Sequence, residues 1–197
     1  MSSGLSPTLN GGCFASVFQE VPHEHSMGLL NGEDLRLFHL NARNAKFSYT
    51  DLESFLSGNI GQYVFSKAKI AEYIADNNQF SVGLDAWQTL ARSLTPDNNA
   101  LGEILLWAFL EQVLGAPKVM SKIELTQTGG LAQRQADAIH LRVDSTGKTS
   151  ANIVFGTSKF VSNLRDAIDT AFNRVIEIEN NDPFYDRRQA FSTSNLR

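Results

Sequence analysis

The sequence predicts an α/β fold of the α+β type, in which a helix, three strands and a second helix follow a mostly helical N-terminal region. Three observations support this prediction. A nearly all-apolar helical segment follows Asn98-Asn99, three short apolar segments separated by turn residues come next, and an amphipathic helical pattern follows them. Each change of hydrophobic period between about 3.6 and 2 marks a change of element. We therefore divide the chain into residues 1–97 and 98–197.

The first 40 residues carry weak signals. Residues 1–20 are rich in Ser, Gly and Asn, and we expect them to form a loose arm. Asn31-Gly32 is a turn signal, and residues 35–40 after it have the composition of a strand.

Helical spacing begins at Tyr49. Apolar residues recur near every 3.6 positions up to Asn77, with Gly58 and Gly61 as candidate breaks. A further helix is expected over 84–94, because the residue before Pro96 disfavours the helical backbone.

The segment from Asn98 to Leu114 predicts a buried helix. Asn98-Asn99 can cap its start, and Gly115 with Pro117 can end it. The segment is apolar nearly all round, which is typical of a helix surrounded by protein. Glu103 lies near its N-terminal end, where a buried carboxylate needs a specific partner or role.

Three strands and a helix are predicted after this segment. Turn residues separate the strands, and the last segment has an amphipathic stripe of helical period. The expected strands are Lys118–Leu125, Ala136–Val143 and Asn152–Phe160, and the expected helix runs from Ser162 to Glu179.

Two of these strands place polar residues at their ends. Alternation puts Asp137 on one face with the apolar residues of the second strand, and Thr157 and Lys159 on one face of the third strand. If the two strands are antiparallel neighbours, the start of one lies beside the end of the other. The three side chains would then converge at one edge of the core.

Five short motifs follow one another in the second half of the chain: Gly102-Glu103-Ile104-Leu105-Leu106, Leu114-Gly115-Ala116-Pro117-Lys118, Ser121-Lys122-Ile123-Glu124-Leu125, Asp137-Ala138-Ile139-His140-Leu141 and Phe155-Gly156-Thr157-Ser158-Lys159. In these motifs, with their order and spacing, the chain resembles the DUF1837 family, the HamA and AbpA nuclease component of Hachiman-type anti-phage defence. The predicted order of a helix with a Glu, three strands and a helix also resembles the αβββα plan of restriction-endonuclease-like PD-(D/E)XK nucleases.

The resemblance implies a metal-dependent DNA nuclease that works with a superfamily 2 helicase encoded alongside it. By position, Asp137 would be a metal-binding carboxylate, Lys159 the lysine of the Glu-x-Lys motif, and Glu103 the acidic residue of the first helix. Mg²⁺, or Mn²⁺ in its place, would be the cofactor, because it prefers hard oxygen ligands. We expect the helical region from Tyr49 to Leu94 to pack on the core and help dock the helicase.

One residue departs from the family pattern. Thr157 stands where the family has Glu, so the predicted metal site lacks one formal charge. Three explanations are open: Glu103 or Glu124 replaces the missing ligand, the residue has been altered from a natural glutamate, or the protein has lost cleavage. Family members are also expected to continue beyond Arg197, so the core would be truncated at its C-terminus.

Simpler interpretations stay open for each site residue. Asp137 also fits a turn or strand end without function, and Lys159 alone fits a solvated strand end. Glu103 also fits a first-turn carboxylate stabilised by the helix dipole. For the whole chain, the alternative to a nuclease is a module of the same fold that has lost cleavage and binds DNA or regulates the helicase.

Composition limits the other possibilities. Hydrophobic residues make up 42% of 197 residues, which is enough for a real core, and the net charge of −4 gives no broad basic surface for DNA. Cys13 is the sole cysteine, which excludes an internal disulfide and fits a reducing cytoplasm. The longest apolar run is too short to span a bilayer, so no membrane role is expected.

Overall fold

A computed structural model of the chain describes residues 6–9, 14–23, 35–94, 100–120, 123, 138–143, 151–159 and 161–181. Within these ranges the chain combines α-helices with small antiparallel sheets, as the sequence predicts. In the part of the chain that the structure describes, no helix is long and apolar enough to cross a membrane.

Three α-helices and a short 3₁₀-helix make up the predicted helical region. They are α1 (Tyr49–Val64), α2 (Lys67–Ala75), the 3₁₀-helix Gln79–Ser81, and α3 (Val82–Ser93). The break falls at Phe65, which is extended, and at neither candidate glycine. Ser66 then caps α2, where its Oγ accepts from the Lys69 N–H at 3.3 Å.

Gly61 serves packing, and α1 runs through it without interruption. A Cβ at this position would lie 2.6 Å from Cγ1 of Val82 on α3. The glycine therefore lets α1 and α3 approach each other closely. The prediction that Gly58 or Gly61 breaks the helix was wrong, because helix-to-helix contact outweighs the low helix propensity of glycine.

The described parts of the N-terminal segment, residues 6–9 and 14–20, pack against the core, so the prediction of a loose arm was wrong for them. Strand β1 (Phe18–Glu20) pairs antiparallel with β2 (Phe38–Leu40), and β3 (Ala42–Arg43) forms a tight hairpin with β4 (Lys46–Phe47). Strand β2 is the C-terminal half of the strand predicted over 35–40. Phe14 and Phe18 are buried although they lie in a stretch rich in small polar residues. Aromatic burial there overrides the local composition.

Helix α4 (Ala100–Gln112) is the centre of the fold. Its Trp107 and Ala108 are 1% and 0% exposed, as expected of a helix that is apolar all round. Phe109 lies 5.0–5.1 Å, between ring centroids, from three other phenylalanines of the N-terminal region. Gly115, with φ +60°, follows the helix, and the Ala116 N–H donates to the Leu110 carbonyl at 3.0 Å.

A three-stranded antiparallel sheet follows α4 in the order β5-β6-β7. Its strands are Lys118–Met120, Ala138–Val143 and Ala151–Gly156, and helix α5 (Leu164–Asn181) comes after them. The predicted order of helix, three strands and helix is thus confirmed. The first and third strands are shorter than predicted: Ile123 is helical, and residues 157–159 lie beyond the end of β7.

The two faces of this sheet differ. Ala138 and His140 of β6 are 6% and 1% exposed and point to the protein interior. Ile153 and Phe155 of β7 lie on the other face, and they are 46% and 37% exposed. The apolar row predicted to share a face with the site residues is therefore the less covered of the two rows.

Candidate functional site

The start of β6 lies beside the end of β7, as the candidate site requires. The two strands pair antiparallel from Val143–Ala151 to Ala138–Gly156. Thr157, Ser158 and Lys159 come directly after the last pair on β7. Asp137, which precedes Ala138 in the sequence, lies outside the described residues.

Gly156 brings the end of β7 against α4. A Cβ on Gly156 would lie 3.0 Å from Cδ2 of Leu106 and 3.1 Å from Cδ1 of Leu110. The absence of a side chain therefore sets the close approach of strand and helix just before Thr157. Thr157 and Ser158 are half-buried, and Lys159 is exposed. The lysine can therefore reach a ligand in solvent while the chain before it is held by packing.

Glu103 lies on the side of α4 that meets the sheet. It is 5% exposed and precedes Leu106 by three positions, so the two side chains share a face of the helix. The Tyr63 hydroxyl donates to Oε2 of Glu103 at 3.3 Å. A buried carboxylate must be satisfied by donors or by a cation, so its burial is consistent with both the ligand and the helix-dipole interpretation.

A second buried carboxylate of α4, Glu111, was not singled out from the sequence. It is 2% exposed, and its oxygens accept from the Thr8 N–H and hydroxyl, the Leu9 N–H and the Lys118 N–H at 2.7–2.9 Å. Four donors satisfy the charge, so Glu111 fastens the N-terminal segment to the start of β5. The signal that drew attention to Glu103, an acid on an otherwise apolar helix, applies equally to Glu111.

Lys118 is a structural cation. It is 5% exposed, and its Nζ donates to the carbonyls of Gln62, Tyr63 and Phe65 at 2.6–2.9 Å. These carbonyls lie at the C-terminal end of α1, where a positive charge is favourable. Lys118 thus ties β5 to α1.

His140 is also structural. Its Nδ1 lies 2.6 Å from the Ala116 carbonyl and must donate to it, because a carbonyl oxygen can only accept. Burial lowers the pKa of the imidazole below its usual value, against the opposing effects of the Ala116 carbonyl and the Glu111 carboxylate. The neutral ring on the interior face of β6 holds the strand against the end of α4.

Of the predicted site residues, the structure describes Glu103, Thr157 and Lys159. Glu103 lies on α4, which packs on the interior face of the sheet at Gly156, whereas Thr157 and Lys159 follow the end of β7. Among the residues that the structure describes, no three His, Cys, Asp or Glu side chains are grouped so that they could hold a metal ion. Asp137 and Glu124 fall outside those residues. The predicted metal roles of Asp137, Glu103 and Thr157 therefore stay predictions.

Comparison with known proteins identifies the family. A family model described as HamA matches residues 16–197. No curated protein and no solved structure matches the chain. The family match covers most of the sequence, confirms the resemblance inferred from the five motifs, and supports a role as a component of Hachiman-type anti-phage defence. The chain belongs to the HamA family.

Proposed function

We propose that this chain is the DNA-cleaving subunit of an anti-phage defence system and acts with divalent metal and a superfamily 2 helicase. The observation that carries the proposal is the antiparallel pairing of β6 with β7, which ends at Ala138–Gly156. This pairing brings the chain next to Asp137 to the strand end that continues into Thr157 and Lys159. The sequence spacing alone could only assume that the two strands are neighbours.

The donor chemistry fits a divalent metal only in part. Carboxylates of Asp137 and Glu103 are the hard oxygen donors that Mg²⁺ prefers. Thr157 offers a neutral hydroxyl, which compensates none of the charge of the ion. We therefore expect weak binding of Mg²⁺ or Mn²⁺ by the chain as it stands.

The remaining chemistry depends on Lys159. Bound Mg²⁺ would supply a more acidic water and stabilise negative charge on the phosphate. Lys159 is exposed at the end of the packed segment 156–158, so its ammonium can donate to a phosphate oxygen as charge develops there. A half-buried backbone before it limits the positions that the amine can adopt, which favours one orientation of the DNA phosphate.

A second candidate function rests on Thr157. A chain of this fold that lacks the third-strand carboxylate could retain DNA binding without cleavage, or could regulate the helicase. Lys159 would then contact a phosphate as a simple cation.

The two functions are separated by Thr157→Glu, assayed for cleavage with helicase, ATP and Mg²⁺ present. We expect cleavage to rise at least about tenfold, since a ligand carboxylate is restored in the segment after β7 that carries Lys159. Ser158→Glu is the matched control, because it adds the same charge at the neighbouring position, which is also half-buried. Adding Lys159→Ala to Thr157→Glu should abolish the gain.

Two other outcomes would change this account. Strong Mg²⁺-dependent cleavage by the unmodified chain would support the cleaving function, but it would show that another acid already completes the site and that the expected effect of Thr157 is wrong. No cleavage by Thr157→Glu, with metal binding restored, would favour the DNA-binding module.

The helicase is proposed to dock on the region from Tyr49 to Leu94. The expectation that this region packs on the core is confirmed, since Phe55 and Tyr63 belong to the same buried cluster as Trp107. Deleting the region would therefore remove much of the core. Helix α2 buries none of its residues, and its Ile74 is 56% exposed. The amount of helicase that co-purifies with the chain should drop with Ile74→Glu. It should stay unchanged with Phe47→Glu, the control, because Phe47 is similarly exposed but lies outside the region. Equal recovery of the helicase with both variants would contradict docking through α2.

A further inference from the structure

Helix α3 carries an apolar stripe that faces away from the core. The stripe continues from the 3₁₀-helix and follows alternating steps of four and three residues, the spacing of a coiled-coil seam. Its members are Phe80 (91% exposed), Leu84 (61%), Trp87 (61%), Ala91 (exposed) and Leu94 (50%).

This stripe is separate from the face that attaches α3 to the rest of the chain. Ala86 and Leu90, 0% and 4% exposed, bury that other face, and Val82 meets Gly61 of α1. An amphipathic surface helix needs only one apolar face. The second face, rich in large side chains, is the kind of patch that marks an interaction surface.

The stripe also forms one wall of an apolar groove of about 460 Å³. Leu84, Trp87 and Leu94 line this wall, and the opposite side is lined by α1 and by Leu101 and Ile104 of α4. The groove continues the stripe, so one occupant can cover both.

We propose that a second copy of this chain covers the stripe, with the two α3 helices antiparallel about a twofold axis. In such a pair both copies use the same patch, and the two helices run in opposite directions. Residue i of one copy therefore meets residue j of the other, and i + j is the same for every contact along the helix. One pairing places Leu84 against Leu94 of the second copy and Trp87 against Ala91 of the second copy. The largest side chain thus meets the smallest, and each contact occurs twice.

The size and charge of the surface fit this occupant. From the exposed fractions, the stripe presents on the order of 500 Å² per copy, so a pair would bury about 1,000 Å², near the lower limit for a specific interface. The helical positions flanking the stripe include Gly83 and Gln88, which are uncharged, so like charges do not oppose self-pairing. Asp85 is turned toward α2, where it accepts from the Tyr73 hydroxyl at 2.8 Å.

Phe80 lies at the end of the stripe, in the 3₁₀-helix four positions before Leu84. Its ring is 91% exposed in one copy, and in the antiparallel pair it lies beyond Leu94 of the second copy.

The test uses the full chain alone in sedimentation equilibrium from about 1 to 100 μM, a range suited to a small interface. We expect the unmodified chain to dimerise, and Leu84→Lys or Leu94→Glu to raise the dimer dissociation constant by about tenfold or more. Both side chains are exposed, so the fold should survive, which circular dichroism checks. Ile74→Glu, on α2 and outside the stripe, is the matched control and should dimerise normally.

Mixing the two variants tests the register itself. In a mixed pair, Lys at 84 meets Glu at 94 of the second copy while the other contact keeps both leucines, so mixing equal amounts should restore dimers. If the unmodified chain is monomeric over this concentration range, the proposal is wrong. That result is also the one expected if the helicase, and not a second copy, covers the stripe. Dimers insensitive to both substitutions, or no recovery on mixing, would also overturn it. The proposal does not depend on nuclease activity.

Discussion

The two sides of helix α4 contrast in how completely they are covered. On one side, aromatic rings of the N-terminal region surround Phe109, and Trp107 is 1% exposed. On the other side lies the three-stranded sheet, whose far face leaves Ile153 and Phe155 partly exposed. Helix α5, which follows the sheet, has its own apolar stripe exposed, with Leu164 at 75% and Phe172 at 60%.

This difference separates stability from function. Buried apolar area is the dominant stabilising term. Among the residues that the structure describes, the buried cluster lies mostly between α4 and the N-terminal region. The candidate site lies at the end of the less covered side, where Gly156 packs on α4. The fold can therefore change at Thr157 without losing its core.

The largest expected effect comes from breaking the covered side. Trp107→Ala should lower the free energy of unfolding by about 4 kcal/mol, because it leaves a cavity in the core. It also removes the hydrogen bond from the indole N–H to the Thr8 hydroxyl at 3.2 Å. Phe155→Ala, on the open face, should cost about 1 kcal/mol or less. Urea unfolding of the two variants measures the contrast, and equal losses would show that the two sides do not differ.

A second effect concerns pH. Burial lowers the pKa of His140 in the folded chain, so the unfolded chain binds the proton more readily. Stability from the neutral imidazole is therefore complete above the unfolded pKa of about 6.5 and falls as pH drops through that value toward the folded pKa. The slope should be at most about 1.4 kcal/mol per pH unit. Unfolding from pH 7.5 to 5.5 should show it, and His140→Gln should flatten it; an unchanged slope in that variant would assign the dependence to another group.

A smaller effect tests whether α4 and the end of β7 are in close contact at Gly156. Gly156→Ala should cost about 1 kcal/mol, because its Cβ would press on the flexible ends of Leu106 and Leu110. Gly58→Ala is the matched control: a Cβ there meets nothing within 4 Å, so this helix-interior change should stabilise by about 0.5–1 kcal/mol. Thermal unfolding distinguishes the two. Stabilisation by Gly156→Ala would mean that strand and helix are not in close contact there.

Much of the fold was predictable because its strongest signals are periodic. Helical spacing located the start of α1 and both ends of α3, α4 and α5 to within a few residues, but it did not locate the end of α1 at Val64. Turn residues separated the strands. The N-terminal segment was predicted wrongly, since local composition does not report that Phe14 and Phe18 pack on Phe109 across about 90 residues of sequence.

The candidate site was predictable only in its position along the chain. Alternation predicted that Thr157 and Lys159 share a face of a strand, although β7 ends at Gly156, and only the pairing of β6 with β7 shows that the two strands are neighbours. Glu111 illustrates what a sequence cannot separate: it resembles Glu103 in context, yet its donors come from Thr8, Leu9 and Lys118, two of which are about 100 residues away.

Direct titration of Mg²⁺ or Mn²⁺ into the chain by calorimetry tests the central claim without depending on helicase gating. The unmodified chain should bind weakly, and Thr157→Glu should bind at least about tenfold more tightly, with the gain removed by Asp137→Asn and absent in Ser158→Glu. Two results would contradict a metal site shared by the start of β6 and the end of β7. In the first, the unmodified chain binds the metal as tightly as Thr157→Glu does. In the second, the gain in affinity from Thr157→Glu persists when Asp137→Asn is added.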